Sequence, residues 1–269
     1  MALNWSDELE SLPLESLYLL EACHWQWLDT SCFQDEWCTV LAVQPGLGWV
    51  MCQKAPQLTP WVQRLLDSGE KQLTPGAQEL ERAKNTLLRS MEDWVIYLTN
   101  PQIYEDQPFM SWDPQELIGM ADWAGKRVID VGSGTGKQAF LAAPLCQSLY
   151  CVEPVENLRA YLKNKAKELG LENVFVTDGL VTQIPYENEF GDILTAGHVI
   201  GDDLEAEITE MLRVIKPGGK LILIPGNIDE DNDIHQFLVA DSFEFSRFLE
   251  PGDGMKRKYW KIKPTGMPE

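Results

Sequence analysis

Basic residues are scarce: 22 Lys and Arg stand against 42 Asp and Glu, a formal charge of −20. The deficit is shared, with 16 acids and 6 bases in residues 1–110 and 26 acids and 16 bases in residues 111–269, so no basic domain hides in the average. Such a surface repels duplex nucleic acid and anionic membranes, and neither is expected as a partner. No uninterrupted apolar stretch approaches the roughly 20 residues that a bilayer crossing requires. The first ten residues carry three acids and no base, unlike a secretory or mitochondrial leader, so a cytoplasmic location is expected. The six cysteines include no C-x-x-C pair. Four of them, Cys23, Cys32, Cys38 and Cys52, share residues 23–52 with His24. Their spacings fit no standard structural zinc pattern, so reduced, buried thiols are expected and no metal.

What is present is a full globular composition, 44% hydrophobic and 24% charged over 269 residues, enough to close a core. Its character changes along the chain. Seven of the ten tryptophans fall in the first hundred residues: Trp5, Trp25, Trp27, Trp37, Trp49, Trp61 and Trp94. There, Leu12–Cys32 has apolar residues at helical spacing. Trp37–Val43 and Trp49–Cys52 read as short β runs joined by the turn chemistry of Gln44-Pro45-Gly46-Leu47-Gly48, a hairpin. Thr59–Asp67 reads as a helix. Thr74-Pro75 opens another that runs to about Leu98 and stops at Asn100-Pro101. Residues 1–110 are therefore expected to form a Trp-rich α+β cap that selects the substrate, with one or two tryptophans at its pocket and the rest in its core.

Residues 111–269 alternate strand and helix. Strands are expected at Lys126–Val131, Ser148–Val152, Val174–Thr177, Gly191–Ala196 and Lys220–Ile224. Helices are expected at Gly136–Leu145, Val155–Leu169, Leu204–Val214 and Ile234–Ala240. An antiparallel pair, Phe243–Phe248 with Lys256–Ile262, closes the set. The pattern implies an α/β fold, a mostly parallel sheet with helices on both faces.

The chemistry concentrates where the first strand ends, in Arg127-Val128-Ile129-Asp130-Val131-Gly132-Ser133-Gly134-Thr135-Gly136. Glycine at every second position lets the backbone take unusual torsions and lets a ligand approach to contact distance. An acid also closes the second strand (Glu153) and another closes the third (Asp178). A carboxylate at the second position suits a ribose diol; one at the third suits an adenine amino group. The loop is neither a dinucleotide fingerprint, because Lys137 stands where the third Gly of G-x-G-x-x-G belongs, nor a P-loop, because three residues rather than four separate Gly132 from Gly136 and Gln138 replaces the magnesium-binding hydroxyl.

These residues resemble the class I S-adenosylmethionine-dependent methyltransferases, Rossmann-like enzymes. The likeness spans about Phe109 to Lys263 and includes Phe190-Gly191-Asp192-Ile193-Leu194 and Leu212-Arg213-Val214-Ile215-Lys216-Pro217-Gly218-Gly219-Lys220-Leu221. It implies that Asp130, Gly132, Ser133, Gly134 and Gly136 pass under the methionyl part of S-adenosyl-L-methionine, that Glu153 with Pro154 holds the ribose, and that Asp178, Gly179 and Leu180 meet the adenine. It also implies that Gly197 and His198 face the donor methyl and the acceptor, leaving S-adenosyl-L-homocysteine as product. His198 is the candidate general base, because an imidazole titrates near neutral pH; the other reading has it packed beside the donor. Asp202 and Asp203 read as helix caps, and His24 and His235 as structural or surface residues. Tyr104, Phe109, Met110 and Trp112 form either a lid over the donor, with Tyr104 against its sulfonium or carboxylate end, or a packed linker. Lys256, Arg257, Lys258, Lys261 and Lys263 either attract an acidic acceptor or guard an edge strand against pairing. The post-strand run Ala196-Gly197-His198-Val199 is not the Asn-Pro-Pro-Tyr type of amino-nitrogen methylation. A small-molecule acceptor is expected. A protein acceptor engaged by the cap, and donor binding without transfer, are the alternatives. Nothing in the sequence specifies the oligomeric state.

Overall fold

The computed structural model describes residues 6–69, 75–224 and 228–266. The chain divides into two compact units, Ala2–Tyr104 and Glu105–Glu269 (with Met1).

All elements described in the first unit are helical: α1 Ser6–Ser11, α2 Ala22–Trp27, α3 Gln34–Val43, α4 Pro45–Lys54, α5 Thr59–Gly69, α6 Ala77–Ser90, α7 Glu92–Thr99 and most of α8 Pro101–Glu105, with short 3-10 turns at Leu14–Leu19 and Pro56–Leu58. The expected α+β character of this region is thereby corrected. The expected hairpin is the helix pair α3–α4. Trp37, Val40 and Leu41 are buried at the i, i+3, i+4 spacing of one helix face. Pro45 takes the first position of α4, where its missing N–H costs nothing. Gly48 sits inside α4 because a β-carbon there would lie 3.0 Å from Val62 Cγ1, so it lets α4 and α5 approach closely. Packing thus overrides the β preference of a Trp-Cys-Thr-Val run. The segment Leu12–Cys32 is two short helical pieces rather than one helix. The helix expected to reach Leu98 breaks at Met91, which leaves helical geometry at φ −127°, ψ 24°. Gly76 caps α6; Thr74 and Trp5 lie outside the described residues. The core is aromatic: the Trp37 ring lies 6.1 Å from Trp25 and 5.9 Å from Trp61, both edge-on. Trp27 and Trp49 are exposed.

The second unit is a seven-stranded sheet of order β3-β2-β1-β4-β5-β7-β6. Its strands are β1 Arg127–Val131, β2 Ser148–Val152, β3 Val174–Thr177, β4 Gly191–Gly197, β5 Ile215–Ile224, β6 Glu244–Glu250 and β7 Gly254–Ile262. The first five are parallel, and β7 runs antiparallel between β5 and β6. Helices α9 Gln115–Ile118, α10 Lys137–Ala142, α11 Glu156–Glu168, α12 Leu204–Val214 and α13 Asp233–Ala240 surround it. Both faces are covered, so the strands are apolar on both sides: Val128, Leu149 and Cys151 belong to one core, Ile129, Val131 and Val152 to the other. The register aligns the strand ends, pairing Val131 with Val152 and Ala196, and Val152 with Thr177. From β1 the chain winds outward through β2 to β3, then returns to β4 on the other side of β1. That reversal opens a crevice between the loops after β1 and β4, where open α/β sheets bind ligands.

β7 is not an edge strand, which corrects the guarding reading of its bases. Lys256, Arg257 and Lys258 are buried and ion-paired. Lys256 meets Asp253 at 2.5 Å, Arg257 meets Asp229 at 2.7 Å and Asp231 at 2.8 Å, and Lys258 meets Glu116 at 2.6 Å. Cys38 and Cys151 are buried, but Cys32 is exposed. No helix of the described residues is long and apolar enough to cross a membrane, and no group of three or more His, Cys, Asp or Glu among them could hold a metal.

Candidate functional site

The loop after β1 is built on left-handed glycines: Gly132 at φ 64°, Gly134 at 54° and Gly136 at 89°. At Gly136 a β-carbon would also strike Phe140 at 2.2 Å and Leu162 at 2.8 Å, so α10 and α11 close on bare backbone. At Gly132 it would strike Val199 Cγ1 at 2.1 Å, so the turn after β4 lies directly on the glycine loop.

Two buried acids support this loop. Asp130 Oδ1 accepts the Thr195 hydroxyl at 2.6 Å across the β1–β4 pair, and Ser133 Oγ donates to the Asp130 carbonyl at 2.8 Å. Burial pushes the Asp130 carboxyl up to about 6. Glu153, only 4% exposed, accepts the Gly134 N–H at 2.8 Å through Oε2 and the Val155 N–H at 3.0 Å through Oε1. Burial raises it to about 7 against those hydrogen bonds. Each of its oxygens keeps a further lone pair, the valence that two ribose hydroxyls would fill. Pro154 follows at the start of the turn into α11.

Asp178 is exposed and pairs with Arg159 Nη1 at 3.0 Å; the same nitrogen donates to the Glu153 carbonyl at 2.9 Å. Arg159 therefore ties the ends of β2 and β3 together, a role no sequence motif indicated. Gly179 is packed against Val152 and Pro185, either of which a β-carbon would meet at 2.7 Å, and the neighbouring Leu180 is exposed. Gly197 carries the Gln138 side chain, whose Nε2 would lie 2.2 Å from a β-carbon. Gln138 Oε1 is buried with no hydrogen-bond partner, an acceptor aimed into the same neighbourhood and suited to an ammonium group.

His198 follows, with its backbone N–H on the Ile224 carbonyl at 2.9 Å, its φ at 57° and its side chain 49% exposed. Burial of its inner part and the Lys256 ammonium hold its pKa below the ordinary imidazole value. The loop beyond it is fixed by Glu207, a buried acid that sequence reasoning missed. Glu207 accepts the N–H groups of Gly201 at 2.9 Å, Asp202 at 3.2 Å and Asp203 at 3.1 Å. Asp203 caps α12 by accepting the Ala206 N–H at 3.1 Å, as expected.

The aromatic segment before β1 does not act as one piece. Trp112 is core, edge-on to Phe248 at 6.1 Å. Tyr104 ends the helical unit, its ring 4.4 Å from Tyr97. His24 and His235 are both buried; His235 Nδ1 is 3.1 Å from the Tyr259 hydroxyl, and the Glu21 N–H donates to His24 Nδ1 at 3.0 Å.

Comparison with a family model takes in this loop. Residues 129–223 match a family model described as a methyltransferase domain. The chain is 30% identical over 154 residues to the uncharacterized methyltransferase YcgJ of Bacillus subtilis, covering 55% of this chain and 60% of that one. It is 31% identical over 123 residues to the demethylmenaquinone methyltransferase of Bacillus cytotoxicus, covering 44% and 52%. It is 26% identical over 212 residues to the protein-L-isoaspartate O-methyltransferase of Cellvibrio japonicus, covering 76% and 89%. The chain thus spans between half and two thirds of the first two relatives. The strand order, the glycine loop and the buried acid after β2 agree with these likenesses: residues 129–223 form a methyltransferase domain of the kind the family model describes.

Proposed function

We propose that this protein transfers a methyl group from S-adenosylmethionine to a small-molecule acceptor, with residues 111–269 binding the donor and residues 1–110 selecting the acceptor. The observation that carries the donor end is Glu153, a buried acid on the glycine loop with lone pairs to spare on both oxygens. In this reading the ribose hydroxyls donate to Glu153, the bare glycine backbone passes along the methionyl chain, and Gln138 Oε1 receives its ammonium. Gly179 and Leu180 flank the adenine, with Asp178 at its amino group. The donor supplies an already activated methyl on a sulfonium, so the protein's task is mainly alignment of acceptor, carbon and sulfur, worth on the order of 7–11 kcal/mol at its fullest.

Titration calorimetry with S-adenosylhomocysteine tests the donor end. The parent protein should bind, and Glu153→Ala should weaken binding at least 100-fold; retained affinity would mean the ribose contact is elsewhere. The acceptor end is tested by product release with a panel of quinols, phenols and isoaspartyl peptides. The relative from Cellvibrio japonicus acts on protein isoaspartate by its name, so turnover confined to peptides would move the proposal to a protein acceptor engaged by the N-terminal unit. Tight donor binding with no turnover across the panel would favour a non-catalytic binder.

A further inference from the structure

Glu250 closes β6 at 2% exposure, and its Oε2 has no hydrogen-bond partner. That oxygen lies 3.9 Å from His198 Nε2. Its Oε1 lies 3.9 Å from the Lys256 ammonium on β7, which is itself buried and paired with Asp253 at 2.5 Å. A buried carboxylate oxygen without a hydrogen bond is costly to keep, and a small rotation brings the imidazole Nε2 of His198 to donate to it. His198 is meanwhile a non-glycine residue in left-handed backbone geometry, a conformation costing on the order of 1–2 kcal/mol. It stands between Gly197, covered by Gln138, and Val199, which lies on Gly132. That strained turn presents the ring on the rim of the crevice with Glu250 behind it.

We infer that Glu250 is the positioning carboxylate of His198, and that the pair takes a proton from the acceptor, which is therefore a hydroxyl or another proton-bearing nucleophile rather than a carboxylate. The inference rests on the methyl-transfer reading. Nε2–H donates to Glu250 Oε2, which leaves Nδ1 as the basic nitrogen facing outward. In the reaction a lone pair of the acceptor oxygen forms the new O–CH3 bond, and the C–S bond breaks with its electron pair moving to sulfur. The acceptor's proton passes to His198 Nδ1. The ionised Glu250 then faces an imidazolium. A carboxylate acceptor brings no proton to remove and has no use for this pair. The charged groups around His198 are Glu250 from β6, Lys256 from β7 and Asp253 from the turn between them.

The test is a histidine-ring NMR titration of the full chain, with and without S-adenosylhomocysteine, the His198 signal being assigned with His198→Asn. Glu250→Gln, which preserves shape, should lower the His198 pKa by one unit or more and turn a single Nε2–H tautomer into a mixture. If Glu250→Gln does not fold, the carboxyl signal of Glu250 is followed in His198→Asn, a residue that tolerates positive φ; its titration should move up by about one unit. An identical His198 titration in parent and Glu250→Gln, or an unmoved Glu250 in His198→Asn, overturns the pairing. Turnover of an isoaspartyl peptide at the same rate by parent and Glu250→Gln overturns the acceptor class. Calorimetry on the same samples separates the two readings. No S-adenosylhomocysteine binding by the parent defeats the donor reading, whereas intact binding with an unmoved titration defeats only the pair.

Discussion

The two units differ in which ionisable groups burial pushes toward the neutral form. The helical unit is closed by tryptophans and shuts in a neutral base, His24, which burial holds at about 4. The sheet unit shuts in acids at its rim, Asp130 at about 6 and Glu153 at about 7, beside glycines in left-handed backbone. The first arrangement serves packing. The second keeps buried carboxyls where a ligand with hydroxyl groups would satisfy them.

That contrast can be broken by mutation, and the largest effect should come from the aromatic core. Trp37→Ala removes the ring that joins Trp25 to Trp61. It should cost about 3–5 kcal/mol, read as a lowered midpoint in urea. A smaller cost would mean that the surrounding helices collapse into the cavity.

The acid–base contrast comes next. Glu153 keeps its proton to about 7 when folded against 4.5 ordinarily. Between those values the unfolded chain has already released the proton, so stability is full below pH 4.5 and declines as pH rises to 7. His24 titrates at about 4 when folded against 6.5 ordinarily. The unfolded chain takes that proton first, so its contribution is full above pH 6.5 and declines as pH falls to 4. Each effect is on the order of 3 kcal/mol. Hydrogen exchange followed along the chain from pH 4 to 8 should show helical-unit protection weakening toward acid and sheet-unit protection weakening toward neutral. Glu153→Gln should flatten only the second trend. Since ribose hydroxyls favour the ionised carboxylate, affinity for S-adenosylhomocysteine should rise with pH through about 7.

Glycine substitutions sharpen the contrast within the sheet unit. Gly136→Ala meets both left-handed geometry and the Phe140 ring and should cost about 2–3 kcal/mol while abolishing donor binding. Gly170→Ala has the same kind of backbone, at φ 66°, but open space around it; it should cost about 1 kcal/mol and leave binding alone. The smallest effect is expected at Trp49, 66% exposed: Trp49→Ser should stay within about 0.5 kcal/mol by thermal melting.

The two units also differed in how legible they were. The five parallel strands of the sheet unit could be read from apolar runs ended by Gly, Pro or an acid, because buried parallel strands leave a local signature, and the last two could be read as a closing antiparallel pair. The helical unit misled at Trp37–Cys52, where Pro45 and Gly46 look like a turn yet start a helix, and where Gly48 is explained only by Val62, a residue of another helix. Glu207 went unread because its partners are backbone groups of a loop, and Arg159 because its partners, the Glu153 carbonyl and Asp178, come from the ends of two other strands; no local side-chain pattern reports either. Lys256, Arg257 and Lys258 read as surface charge until β6 was seen to lie outside β7.

The sequence by itself determined the glycine loop, the acids that end the strands and hence the class of donor. Those depend on backbone torsion and strand order, which short-range pattern encodes. Only the tertiary structure decided which charges are buried and paired, and that Glu250 stands behind His198. Residues 52 positions apart meet because β6 folds back beyond β7, a pairing set by sheet closure rather than by any local preference.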